Sequence, residues 1–425
     1  MMQSPLVLLG LLIILAMGSL VNAQPTHVTI EQTETNGWRL LVDGEPYRIK
    51  GAGGNHSMAE LAAAGGNTTR TWGVHDKTGD VLDEAHRNGL KVVVGIWLGH
   101  PRHGFDYSDI EQVAAQYQHV RRSVEKHKDH PALLMWGLGN EMEHGDGESN
   151  AAVWSHLEAS AALIKELDPH HPVMTVFAEI NREKLAAVHQ LCPSIDVIGS
   201  NSYGGAASFP ARYRDAGGTL PYVIAEFGPL GTWEVPKDEH GMVLEQTSTE
   251  KAEFYEEVYL ALEADTEMCL GSFAFLWSHK QEATHTWFGM WLPDGNKVGS
   301  VDAMTRLWSG RPPANLCPTI EPIEALDGTS GLPGTVLRFT VAASDPEGAT
   351  LQAKWLFKAE SDRYITGGDA QAVPQRLDSA LIEADAQHAV VRLPDQPGNY
   401  RLHVAVYDGQ GAAATANVPL RVFER

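Results

Sequence analysis

Residues 132–142 read ALLMWGLGNEM. A strand with one wet face alternates apolar and polar residues; Leu133–Leu138 does not, so both of its faces are expected to be buried. The run then stops on Asn140-Glu141, which puts a carboxylate at the C-terminal end of a buried strand. About 85 residues later, Tyr222–Gly228 (YVIAEFG) repeats the arrangement with Glu226.

Working outward, the same texture recurs. Tyr47–Asn55, Thr68–Gly73, Lys91–Trp97, Val173–Glu179, Val197–Tyr203 and Gly271–Trp277 complete a set of eight short apolar segments. Helix-length amphipathic stretches fill most gaps, among them Asp76–Asn88, Ser108–Asp129, Val153–Leu167 and Thr249–Ala264. Eight buried strands alternating with helices indicate an α/β chain closed as a (β/α)8 TIM barrel. The runner-up is a doubly wound open sheet. It is disfavoured because Gly51, Gly53 and Gly54 lack the spacing of a nucleotide-binding glycine loop.

The barrel is expected over residues 24–311. Its first strand is preceded by a hairpin in Trp38–Ile49, where Asp43-Gly44 separates two apolar runs. Near Arg311–Asn315 the texture changes. Leu337, Phe339 and Val341, then Tyr400, Leu402, Val404 and Val406, then Val418, Leu420 and Val422 alternate with other residues. Two-residue alternation with turns such as Asp345–Gly348 indicates a smaller all-β sandwich over 319–425. Calcium binding through Asp345, Glu347 and Asp408 and plain turn chemistry are both open for its acidic turns.

Leu6–Val21 is almost wholly apolar, and Val21-Asn22-Ala23 is a small-residue cleavage site. Residues 1–23 therefore read as a signal peptide, which implies a secreted or periplasmic protein without membrane attachment after cleavage. No Lys or Arg precedes the apolar run, so an uncleaved anchor is the alternative. The formal charge of −22 argues against a nucleic-acid partner. Three cysteines, Cys192, Cys269 and Cys317, are too few for a disulfide scaffold and read as buried thiols. His100, His103 and His144 share no ligand spacing, so no metal is expected, and no cofactor.

Carboxylates at the C-terminal ends of barrel strands stand on the face where such barrels do chemistry. Retaining glycoside cleavage needs two: one kept protonated for the leaving oxygen, the other ionised to attack the anomeric carbon. Singly, a strand-end glutamate is ordinarily a solvated loop residue. Glu141 and Glu226 end the fourth and seventh of eight strands, across the mouth from one another, and are the catalytic candidates. Glu143 and Glu179 are their competitors. An arginine in a barrel strand, such as Arg70, needs a carboxylate partner. Trp97, His100, Trp233 and Trp287 lie on loops after strands three, seven and eight, where rings can stack on sugar faces.

WGLGNEM, with IAEFG downstream and FLW at strand eight, resembles the barrel glycosidases of clan A, and within them glycoside hydrolase families 2 and 5. The likeness covers roughly Gly37–Leu307, and LLVDGEPYRIKGAGGNH is similar to the lead-in of family 2. The resemblance implies Glu141 as acid/base and Glu226 as nucleophile. It implies Asn140 on the sugar 2-hydroxyl, Arg70 supporting the nucleophile, Tyr203 donating to Glu226, and Trp277 flooring the subsite of the cleaved sugar. Family 2 enzymes normally carry sandwiches ahead of the barrel; here the sandwich follows it and resembles Ig-like, cadherin-like modules. The expected partner is a β-linked oligo- or polysaccharide. A transglycosylase using the same glutamates, or a non-catalytic carbohydrate-binding protein, is the alternative. Sugar, linkage and oligomeric state are not legible.

Overall fold

The computed structural model describes residues 25–34, 37–54, 56–143, 150–365 and 367–425. The expected leader 1–23, Asn55 and His144 lie outside them. Eight parallel strands close into a barrel: β1 (Ile49–Gly53), β2 (Thr68–Arg70), β3 (Lys91–Ile96), β4 (Leu133–Leu138), β5 (Val173–Phe177), β6 (Val197–Asn201), β7 (Tyr222–Phe227) and β8 (Cys269–Phe275). Each strand lies between its sequence neighbours, and β8 closes onto β1 in the register Phe273↔Gly51. The helices are α1 (Met58–Ala63), α2 (Thr78–Arg87), α3 (Ile110–His127), α4 (Ala151–Leu167), α5 (Arg182–Leu191), α6 (Phe209–Asp215), α7 (Ser248–Glu263) and α8 (Gly299–Ser309).

The absence of alternation in β4 has the expected cause. Leu133, Trp136 and Leu138 pack outward against the helix layer, while Leu134 and Met135 face the barrel interior with Val93, Met174 and Val223. The Trp38–Ile49 hairpin forms. Asp43 (φ 53°) and Gly44 (φ 86°) make its turn between Trp38–Val42 and Glu45–Tyr47, and Val28–Gln32 adds a third strand. This sheet sits at the N-terminal end of the barrel, where Leu40, Val42 and Val28 join the interior cluster. Among the described residues no helix is long and apolar enough to cross a membrane. Cys192, Cys269 and Cys317 are buried and unpaired.

Beyond α8 the chain forms two four-stranded sheets around a common core. One contains Val336–Thr340 and His388–Arg392; the other contains Gln352–Ala359, Gly398–Tyr407 and Ala413–Val422. Leu337, Phe339, Leu402, Val404 and Leu420 fill the space between them, as their alternation requires. Asp345 and Asp408 spend carboxylate oxygens on backbone N–H groups of their own turns.

Alternation alone would leave the other face of the second sheet in water. Instead Arg401, His403 and Thr415 are buried there against the barrel. Arg401 donates to Glu360 (2.6 Å), to Asn417 (2.7 Å) and to the carbonyl of Val243 in the loop after β7 (3.0 Å). Glu245 gathers Lys251 (2.5 Å), Thr284 (2.6 Å), Thr286 (2.8 Å) and Asn417 (2.7 Å). Removing one member of such a buried pair strands the other charge, so Lys251→Met is expected to cost about 3–5 kcal/mol, measured by chemical denaturation. A loss below about 1 kcal/mol would mean that the pair adds nothing to folding.

Candidate active site

The C-terminal ends of the barrel strands surround a cavity of about 1200 Å³. Glu141 and Glu226 both line it, 9% and 6% exposed. β4 delivers Glu141 by an abrupt turn: Gly139 (φ 73°) and Glu141 (φ 53°) both take left-handed backbone around Asn140. For a glutamate that conformation is strained, and it is held by the bond from Glu141 N–H to the carbonyl of Val176 (2.8 Å).

The two carboxylates have unlike surroundings. Glu226 accepts three hydrogen bonds, from Arg70 (3.0 Å) and Trp72 Nε1 (2.8 Å) on Oε1 and from the Tyr203 hydroxyl (2.9 Å) on Oε2. Glu141 accepts from Asn201 Nδ2 (2.6 Å). Burial first, and the negative Glu226 second, push the Glu141 carboxyl up to about 7, against the Asn201 bond. One group is surrounded by donors and the other is desolvated beside a like charge.

Arg70, fully buried on β2, joins them. Besides Glu226 it donates to the carbonyl of Ala225 (2.8 Å) and to Asn140 Oδ1 (2.7 Å). Asn140 Oδ1 also accepts from Asn201 Nδ2 (3.2 Å). The carbonyl end of Asn140 is thereby committed inward, and its amide nitrogen is the group it offers to the cleft. Trp72 is held close by Gly95 of β3, where a Cβ would lie 2.2 Å from the Thr71 carbonyl and 2.6 Å from Trp72 Cα. No side chain fits there.

Of the residues named from sequence, Glu141, Glu226, Arg70, Asn140, Tyr203, Trp97 and Trp233 share the cavity wall. Trp97 and Trp233 present partly exposed rings, 37% and 54%. Three residues are placed otherwise. Trp277 is buried behind the mouth: its ring packs on Trp291 (5.4 Å) and Trp308 (6.2 Å), and its indole N–H donates to the Ser57 carbonyl (3.3 Å). Its expected position at the mouth is taken by Phe275, Leu276 and Ser278. His100 is also buried, stacked on Trp97 (4.6 Å) and held well below its ordinary pKa, at about 4, by burial and by Arg102. It braces a ring instead of facing the cavity. Trp287 is equally buried, donating to the Leu230 carbonyl (2.9 Å).

The competing carboxylates are engaged elsewhere. Glu143 pairs with Lys184 (3.2 Å) and accepts from Ala178 N–H; Glu179, on the rim, pairs with Arg212 (3.1 Å). Trp72 and Asn201 were not singled out from sequence. Trp72 stands two residues past Arg70 in TTRTWG, and Asn201 ends β6, so a polar or amphipathic residue at a barrel-strand end was the available signal.

Residues 66–229 match the family model described as glycosyl hydrolases family 2, TIM barrel domain. A 109-residue stretch is 26% identical to mannan endo-1,4-beta-mannosidase F of Aspergillus clavatus, covering 22% of this chain and 25% of that protein. In structure the chain is similar to the beta-D-glucuronidase of Dictyoglomus thermophilum (16% identity, TM-score 0.53, 68% of this chain and 54% of that one). It is similar also to the beta-glucuronidase of Ruminococcus gnavus (16% identity, TM-score 0.53, 68% and 53%). The chain thus spans about a quarter of the curated relative and about half of these two structures, and at such identities the structural likeness is one of fold. The family match lies within the barrel, from the approach to β2 to the end of β7.

Proposed function

We propose that this chain is a secreted β-glycosidase that cleaves β-linked oligo- or polysaccharides with retention of anomeric configuration. What carries the reading is the unequal environment of two buried glutamates at the ends of β4 and β7 in one cavity. Glu226, surrounded by donors, is the nucleophile. Its Oε1 already accepts from Arg70 and Trp72, whereas Oε2 accepts from Tyr203 alone among the described residues, so Oε2 is the freer oxygen for attack.

In the first step Glu226 bonds to the anomeric carbon while Glu141 gives its proton to the departing glycosidic oxygen. The product is a glycosyl ester on Glu226. Esterification removes the negative charge that helped to raise Glu141, so the carboxylate left by proton donation is favoured, and it takes a proton from the incoming water. Water then breaks the ester and both groups return to their starting states. Asn140, through its amide nitrogen, contacts a hydroxyl of the cleaved sugar. The volume of the cavity exceeds what a single small ligand fills, which supports an extended substrate.

The test is a screen on β-linked polysaccharides and aryl β-glycosides, with proton NMR of the first product formed. Release of the β-anomer before mutarotation is the expected result. An α-anomer released first would exclude double displacement.

A further inference from the structure

The chain between Gln352–Ala359 and Leu381–Ala384 crosses from the C-terminal sheets to the mouth of the barrel, and Gly367, Gly368 and Asp369 line the catalytic cavity. This segment lies outside the part of the chain that matches the family model. It is fixed at two points. Arg102, after β3, donates to the Gly367 carbonyl (3.1 Å) and pairs with Asp369 (3.3 Å), and His103 also pairs with Asp369 (3.1 Å). Lys280, after β8, reaches the Gly368 carbonyl (3.4 Å) while pairing with Glu282 (2.5 Å).

Since β8, β1, β2 and β3 are consecutive around the barrel, a segment tied after β3 and after β8 stands over the β1–β2 end of the mouth. Glu141 on β4 and Glu226 on β7 flank the bond to be cut, so a substrate lying between them runs from the β5–β6 end toward this segment. Asp369 is also the outer member of a row of contacts: His103 stacks on His100 (5.3 Å), and His100 stacks on Trp97 (4.6 Å, 12° between planes). The segment therefore sets the position of a ring that is 37% exposed to the cavity.

We infer that the C-terminal domain completes a sugar subsite at the β1–β2 end of the cleft, in which a hexopyranose unit beyond the cleaved one lies against Trp97 and the Gly367–Asp369 segment. The inference rests on the glycosidase reading above. Aromatic faces take the apolar face of a sugar, and a carboxylate takes its hydroxyls, which is the chemistry assembled here from two parts of the chain. The buried bonds from Arg401 to the Val243 carbonyl and from Asn417 to Glu245 hold the domain in place for this role.

The experiment compares full-length wild type, Asp369→Ala and Arg102→Ala. The substrates are p-nitrophenyl β-glycosides of mannose, glucose, galactose and glucuronic acid and β-1,4-linked manno- and cello-oligosaccharides of two to six units. The readout is kcat/KM for the longest cleaved oligosaccharide divided by that for the aryl glycoside, a ratio that does not depend on how much of each variant is correctly folded. Both substitutions are expected to lower it about tenfold, the loss of a hydrogen bond to a charged group. A ratio equal to wild type in both variants of an active enzyme overturns the subsite. A wild type inert on the whole panel overturns the glycosidase reading instead, and the subsite with it.

Discussion

Glu226→Gln is expected to lower kcat by about four to six orders of magnitude, the largest loss of any single substitution in this chain. The amide keeps the size and most of the hydrogen-bonding shape of the carboxylate, so Arg70, Trp72 and Tyr203 keep a partner and the fold is retained. What disappears is the anion that attacks carbon. The measurement is kcat on the best substrate of the screen, with circular dichroism to show that folding is intact. Activity within tenfold of wild type would move the nucleophile to another carboxylate; Glu179, Glu234 and Glu282 also line the cavity. Exogenous azide gives a second readout with the smaller Glu226→Ala variant. It can enter the space left by the side chain and attack the anomeric carbon directly, yielding an α-glycosyl azide.

Glu141→Gln is expected to lower kcat/KM by about 10²–10⁴-fold on substrates with poor leaving groups, the range of general acid catalysis. On dinitrophenyl glycosides, whose leaving group departs without a proton, the first step is expected to lose far less. That split separates a proton donor from a residue that merely shapes the cleft. The pH profile gives the same information. With its carboxyl pushed up to about 7 by burial and by Glu226, wild-type kcat/KM is expected to fall above pH 7 as the proton is lost, and the Gln variant lacks that limb. Stability also falls as pH rises. A carboxyl whose folded pKa lies above its ordinary 4.5 contributes stability fully present below 4.5 and lost as pH rises toward 7. Glu141→Gln is therefore expected to raise Tm relative to wild type above pH 7 and to leave it unchanged near pH 4. An equal shift at both pH values would show that ionisation of Glu141 has no part in it.

The architecture was legible because burial on both faces leaves a mark on sequence that few other arrangements leave. Leu133–Leu138 carries no alternation, and seven further segments with helices between them admit few closures. Arg70 was legible for a related reason: an arginine inside a barrel strand must find a carboxylate, and Glu226 is where it finds one. Tyr203 and Asn140 sit at strand ends where the resemblance placed them.

Side-chain direction after a strand ends was not legible. Trp277 and His100 carry the same aromatic signal as Trp97 and Trp233, yet their rings turn inward, because local backbone geometry beyond the last ladder bond is set by packing against Trp291, Trp308 and Arg102. Trp72 and Asn201 were passed over, since an indole N–H two residues past an arginine and an amide at a strand end have no distinctive spacing. Their importance lies in distances across the barrel, 154 and 60 residues away in sequence.

By itself, then, the order of residues determined which segments are strands, that they close into a barrel, and which two glutamates end β4 and β7. Periodicity and strand-end position are local properties, carried by neighbours in the chain. Only the tertiary structure decided that Glu141 is desolvated beside a like charge, that the outer face of the second C-terminal sheet is buried on the barrel, and that Asp369 reaches the cavity. Each of these depends on groups brought together from distant parts of the chain, and their free energy is that of a three-dimensional surrounding that no window of sequence contains.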